Sequence, residues 1–288
     1  MKVLITGSRG MLGTDVGAVF KRKEIDVLEY SHAQMDIVDR EATRRIITSQ
    51  EPDSVIHCAA HTNVDACQAD PDTAYAVNSV GTINVAIACA EIGAVMVYIS
   101  SCGIFDGQKA EPYNEFDPPR PLTHYHNSKY QGEGYVRDFC SKYFIIRPGW
   151  LFGGHPAHGK NFVAARAREA RSKSIIESAN DKFGSPTYTY DLAEVLIELV
   201  QTNAYGVYHI ANTGMASRYQ YVREIIRQLG LSCEVRPVGS DRFPRPAPVP
   251  NCEALDNMGL RIRGFPLMRR WQEALSEYIH TRFHSEIT

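Results

Sequence analysis

Tyr125 and Lys129 stand four residues apart in HYHNSKYQGEG, downstream of a glycine-patterned opening, VLITGSRGMLG. Residues four apart share a helix face, so both side chains would reach one site. A ketone that receives hydride develops negative charge on its oxygen and needs a proton there. Tyr125 could supply it: a free phenol has a pKa of ~10, and a neighbouring cation lowers that value. Lys129 would be the cation, and it could also bond the ribose of a nicotinamide cofactor. A third group should come from YISSCGIFDG, where Ser101 could orient the carbonyl and stabilise its charge. Ser100 competes for that role, and either serine could merely cap backbone groups. Cys102 is a possible nucleophile, but no Cys/His/Asp arrangement accompanies it. His124 and His126 flank Tyr125 as substrate contacts or as parts of a solvated turn.

Gly7, Gly10 and Gly13 form GxxGxxG between a strand pattern and a helix pattern. Gly7 would permit a tight turn, Gly10 would admit a pyrophosphate, and Gly13 would let the helix pack closely on a sheet. Helix amides would then face the phosphate charge. A glycine-rich turn without a ligand is the bland reading of the same spacing. Glu29, at the end of the second strand, could bond ribose hydroxyls and favour NADH. Arg9 and His32 could instead meet a 2′-phosphate, which tilts the reading towards NADPH.

These groups need elements to hold them. Strands are expected at Val3–Thr6, Ile25–Glu29, Ser54–Cys58, Val95–Ser100, Tyr143–Arg147 and Gly206–Ile210. Helices are expected after Gly13 towards Phe20, over Arg40–Gln50 with Asp39 as cap, over Asp72–Glu91, from Tyr125 to about Cys140, and over Asp191–Val200. This alternation predicts an α/β fold: a Rossmann-like parallel sheet with helices on both faces. Phe162–Ser172, Tyr219–Leu229 and Trp271–Phe283 read as further helices, and the four prolines of Phe243–Pro250 exclude a regular element. They point to a smaller C-terminal α/β substrate domain. The expected division is 1–151 for the dinucleotide domain, with 184–212 returning to it, and 152–183 plus 213–288 for the substrate domain.

The 288 residues are 44% hydrophobic and 22% charged, with a formal net charge of −2. That is a globular balance with no positive field to attract nucleic acid. No membrane span is expected, and Met1-Lys2 runs straight into a strand pattern, so no signal peptide is expected either. Seven irregularly spaced cysteines without CxxC read as reduced thiols in a cytoplasmic protein. No metal is expected; Glu111 and Glu115 could hold an interface ion but read as solvated.

The chain resembles the dTDP-4-dehydrorhamnose reductase family of extended short-chain dehydrogenases/reductases over nearly its whole length. The marks are VLITGSRGMLG, CAAHTNVDACQADPDTAYAVN, YISSCGIFDG, YHNSKYQGE, FIIRPGWLFG, NDKFGSPTYTYDLA, YHIANTG and RFPRPAPVPN. The resemblance implies NAD(P)H-dependent reduction of a nucleotide-linked 4-keto-6-deoxy sugar, dTDP-linked, with a homodimer compatible. It implies that Gly7, Arg9, Gly10, Met11, Leu12 and Gly13 surround the pyrophosphate and that Asp36 and Ile37 approach adenine. Ala59, Ala60 and Thr62 would line the cofactor, with Asn78 supporting the site. Tyr125 and Lys129 would be the acid and its partner. Val64, Asp65, Cys102, Trp150, Asn161 and Phe162 would approach the substrate, and Arg245 its diphosphate. The family's Ser-Thr-Asp-Tyr-Val-Phe-Asp-Gly is here Ser100-Ser101-Cys102-Gly103-Ile104-Phe105-Asp106-Gly107. Losing the carboxylate and the tyrosine ring reshapes the substrate side and allows another keto sugar nucleotide, or an epimerase. A non-catalytic dinucleotide-binding regulatory subunit is the rival from a different class.

Overall fold

The computed structural model describes residues 1–283; the end of the expected 213–288 segment lies outside the described residues. The first half alternates strand and helix: β1 (Lys2–Thr6), α1 (Met11–Arg22), β2 (Asp26–Tyr30), α2 (Arg40–Gln50) and β3 (Ser54–His57). The Asp39 side chain accepts from Ala42 N, fixing the start of α2 as expected. Next come α3 (Val64–Ala69), α4 (Pro71–Tyr75), a π-helical turn (Ala76–Val80), α5 (Gly81–Ile92), β4 (Val95–Ile99) and α6 (His124–Phe139). Then β5 (Tyr143–Pro148), β6 (Trp150–Phe152), α7 (Phe162–Ser172), β7 (Ile175–Ala179), β8 (Phe183–Gly184), β9 (Pro186–Tyr188), α8 (Thr189–Val200) and β10 (Gly206–Ile210). The chain ends with β11 (Ala216–Ser217), α9 (Arg218–Gln228), β12 (Glu234–Val238), β13 (Cys252–Glu253), α10 (Met258–Ile262) and α11 (Trp271–Arg282).

Six strands form one parallel sheet in the order β10-β5-β4-β3-β1-β2. Side chains alternate across a strand, so the sheet has two apolar faces. Val3, Ile5, Ile56 and Val97 meet Val16 and Phe20 of α1 and Leu192 and Leu196 of α8. Leu4, Val55, Met96 and Ile145 meet Ile47 of α2, Val85 and Cys89 of α5 and Val136 of α6. Helices therefore cover both faces, which is the Rossmann-like layering.

The run Pro71–Ile92 corrects the expectation that no apolar stretch reaches membrane length, since by length and composition it does. The fold gives another reason for its apolarity. Its α5 segment packs against α2 and α6, and Asn78, Thr82 and Asn84 are buried within it with hydrogen-bond partners.

Most of the remaining elements form a smaller unit with its own core, where Phe152, Tyr188, Tyr221, Trp271 and Tyr278 cluster, while α10 packs on β10 with Leu260 in the large sheet's core. Its strands are short: β7 pairs with β12, β6 with β9, and β8 lies between β11 and β13. Within the stretch 184–212, α8 and β10 join the large sheet's layers, while β8 and β9 pair outside it. All seven cysteines are free.

Candidate functional site

A cleft of about 1240 Å³ runs along the carboxyl ends of β1, β3 and β4 and under the smaller unit. Small-molecule pockets span roughly 300–1,000 Å³, so this one has room for a dinucleotide and a second ligand.

One end is built for phosphate. Gly7 has φ +64, and a Cβ there would lie 2.7 Å from Ala59 N. A Cβ on Gly13 would meet Gly7 O, so the first turn of α1 lies directly on the β1 turn. Gly10 caps α1 without a side chain, and no acid stands in the first turn. Open helix amides are thus left facing the cleft, an arrangement that fits a dinucleotide's pyrophosphate. Arg9, Met11, Leu12, His32, Asp36, Ile37, Ala59, Ala60 and Thr62 line the same end. Glu29 does not: its carboxylate pairs with Lys21 and lies over Gly17. The β2 acid expected at the ribose is therefore turned onto α1.

Asn78 supports the site from behind the wall and does not itself line the cofactor cleft. It is fully buried and absent from the cleft wall. Its Oδ1 accepts from His61 N at 2.8 Å, and its Nδ2 donates to His61 O and Ser128 Oγ. It ties the lining segment after β3 to α6. The π-helical turn that carries it is the kind of helix irregularity that accompanies functional sites. His57 works below the same segment, bonded to Thr6 Oγ1 at 2.7 Å, while Thr6 Oγ1 accepts from Ala59 N. Burial lowers the His57 pKa to about 3, so the ring is neutral.

Tyr125, Lys129 and Ser101 meet in the cleft. Thr123 caps α6 by accepting from His126 N, which brings Tyr125 and Lys129 to the cleft. The Ser101 hydroxyl accepts from Gly103 N at 3.2 Å and shares the cleft wall with the Tyr125 phenol. Ser100 instead donates to Glu133 Oε1 at 2.6 Å, so the two competing serines have separate tasks. Burial raises the Tyr125 pKa above its usual value, and the phenol is protonated at neutral pH. Burial also brings Lys129 down to about 7, with its Nζ 4.2 Å from the Tyr98 ring centroid. The expected lowering of the tyrosine by the lysine is thus overridden by the loss of water around both.

Glu133, one turn beyond Lys129, was missed by the sequence reading. It is fully buried and accepts from Arg147 Nε at 2.9 Å and Nη2 at 2.7 Å, besides Ser100 and Arg137. This fork locks α6 to β5. The signal was present in the continued four-residue spacing Tyr125, Lys129, Glu133.

On the substrate side, Val64, Cys102, Trp150, Phe162 and Arg245 line the cleft. Burial raises the Cys102 pKa, leaving a neutral thiol rather than an activated nucleophile. Asp65 is not on the wall; its carboxylate accepts from Arg245 Nε at 3.0 Å and Nη2 at 3.1 Å, and from Ala247 N. That contact straps α3 to the proline-rich loop. Asn161 is displaced from its expected role as well. It is buried, caps α7 by accepting from Ala164 N, and donates to Gly153 O. His126 is buried rather than in a solvated turn. Glu115 is engaged too, its Oε1 accepting from His209 N and Gly259 N.

A family model described as the RmlD substrate binding domain matches residues 1–283. The chain is 34% identical over 281 residues to the spore coat polysaccharide biosynthesis protein SpsK of Bacillus subtilis, covering 98% of both chains. It is 37% identical to dTDP-4-dehydrorhamnose reductase of Mycobacterium tuberculosis, over 96% of this chain and 91% of the relative. It is also similar to the crystal structure of dTDP-4-dehydrorhamnose reductase from Bacillus anthracis in complex with NADP. The TM-score is 0.93 and the identity 35%, over 97% of this chain and 99% of that one.

Proposed function

Since this chain belongs to the dTDP-4-dehydrorhamnose reductase family of extended short-chain dehydrogenases/reductases, we propose that it reduces the C4 ketone of a dTDP-linked 4-keto-6-deoxy sugar, with NADPH as hydride donor. The observation that carries this reading is the meeting of Tyr125, Lys129 and Ser101 in one cleft with a glycine cradle for phosphate. The nicotinamide, when bound, supplies the hydride. Tyr125 holds the proton that the developing alkoxide takes, and its raised pKa keeps that proton on the phenol until then. Ser101, on the wall beside Tyr125, would bond the same carbonyl oxygen. Lys129 orients the cofactor ribose and stabilises the phenolate left after proton transfer. NADPH is preferred to NADH because Glu29 is turned away while Arg9 and His32 line the cleft.

The test is NADPH and NADH oxidation with dTDP-4-dehydro-6-deoxy-L-mannose. Tyr125→Phe should cut turnover by about 10²–10⁴-fold and leave NADPH binding in place. Equal turnover in the variant would remove the acid assignment. Gly103 favours a second substrate reading, since the ring that the family places there is missing. Turnover of a different keto sugar nucleotide would select it, and tight NADPH binding with no turnover of any would select the regulatory subunit.

A further inference from the structure

We propose that Arg218 is the substrate's diphosphate anchor, a role that the family resemblance implies for Arg245. The inference rests on the nucleotide-sugar reading above and names the residue that recognises the charged part of that ligand.

The three-stranded sheet β11-β8-β13 builds the mount. Gly184 of the middle strand lies under the Trp150 indole, and a Cβ there would lie within the ring's own volume, inside van der Waals distance of Cε2. On one flank Glu253 of β13 accepts from Trp150 Nε1 at 2.8 Å. On the other, Arg218 leaves β11 as the first residue of α9, and its guanidinium lies 3.4 Å from the Trp150 ring centroid. Its backbone is pinned from both directions. Arg218 N donates to Lys182 O at 2.9 Å, and the preceding Ser217 forms a reciprocal capping box with Gln220. The indole edge, the indole face and the arginine are therefore fixed before a ligand arrives.

Among the described residues, the Arg218 guanidinium has ring contacts but no hydrogen bond or ion pair. Its neighbours on the wall differ. Arg245 is held by Asp65, Arg166 by Glu169, and Lys182 by Val249 O and Asn251 Oδ1. Glu253 attracts Arg218 through space, yet its Oε2 is taken by the indole. A half-buried guanidinium on the cleft wall with its fork of donors unused has lost part of its hydration without gaining a partner, a deficit that an anion relieves. Burial accordingly lowers its pKa.

Position identifies the anion. Arg218 lies between Trp150 and Phe162, 5.4 Å from the Phe162 ring centroid. It is also within electrostatic reach of Cys102, the residue after Ser101. A sugar whose ketone meets Tyr125 and Ser101 would extend past this point towards Phe162. The segment crossing there in a nucleotide sugar is the diphosphate, whose oxygens suit a bidentate fork. Gly103 explains why the anchor comes from the smaller unit. A Cβ on Gly103 would collide with His126 Nε2 and lie 2.6 Å from Glu253 Oε1, so in this arrangement position 103 itself offers no side chain to the ligand.

The experiment is calorimetric binding of dTDP, UDP and thymidine to the NADPH-loaded full chain at two salt concentrations. Arg218→Gln should weaken the preferred nucleoside diphosphate by about 10–100-fold, the worth of charge-assisted bonds. It should flatten the salt dependence and leave thymidine and NADPH affinity unchanged. Arg218→Lys should keep the salt dependence but recover only part of the affinity, and it serves if the glutamine variant fails to fold. Undiminished diphosphate binding in Arg218→Gln, or a loss confined to Arg245→Gln, overturns the assignment. Absence of diphosphate binding by the parent protein overturns it together with the nucleotide-sugar reading. Arg218-dependent binding without ketone reduction leaves the anchor standing and removes only the proposed reaction.

Discussion

Lys129 places its ammonium against the Tyr98 ring in a dry pocket, and its pKa falls from 10.5 to about 7. An unfolded lysine keeps its ordinary value. Between these limits the unfolded state binds more protons, so stability rises with pH through that window. Below about pH 7 both states are protonated and the penalty is complete, on the order of 1.4 kcal/mol per unit of depression. Lys129→Met should therefore raise the Tm of the cofactor-free protein most below pH 7, with the gain fading towards pH 10.5, while abolishing turnover. Thermal melts across that range check it; a gain independent of pH would contradict the burial argument. The identities of Tyr125 and Lys129 were readable from their spacing, and so was the candidacy of Ser101. Their protonation was not, because desolvation depends on what surrounds a group.

Two elements hold these residues, and each has a breakable joint. Glu133 and Arg147 fasten α6 to β5 through a fully buried fork. Removing one partner of such a pair strands the other charge and costs about 3–5 kcal/mol. Glu133→Gln should lower stability by that order in urea unfolding and reduce kcat more than the KM for NADPH. An unchanged midpoint would show that Arg147 finds another partner. At the opposite end, Gly13→Ala would drive a methyl into Gly7 O. Overpacking of this kind costs about 1–3 kcal/mol, and NADPH affinity, read by fluorescence titration, should fall with it. The long elements were legible: Arg40–Gln50 and Phe162–Ser172 match their expected bounds. The two- and three-residue strands β6, β8, β9, β11 and β13 were not, because they are too short to show a period.

Across the whole molecule, the cleft is bridged by Asp65 and Arg245, far apart in the chain and about 40% exposed each. A pair this wet contributes roughly 0–1 kcal/mol. Asp65→Asn should leave Tm nearly unchanged yet alter the KM for the sugar nucleotide, because it frees the proline-rich loop at the mouth. A KM insensitive to this change at low salt would show that the strap has no part in substrate entry. Neither partner's engagement was visible locally, since residue type marks a charge but not what neutralises it.

The sequence by itself determined the Rossmann-like layering, the phosphate cradle and the tyrosine-lysine pair. Each is written in local spacing: two-residue alternation, glycines three apart, and a four-residue helical step. Only the tertiary structure decided which polar side chains face the cleft. Glu29 and Asn161 turned out to brace the scaffold, while Arg218 arrived at the wall from the start of α9 and Glu253 from a strand too short to anticipate. The physical reason is that a polar group takes whichever partner the packed chain brings within about 3 Å, and that partner can be far away in sequence, as Glu253 is from Trp150.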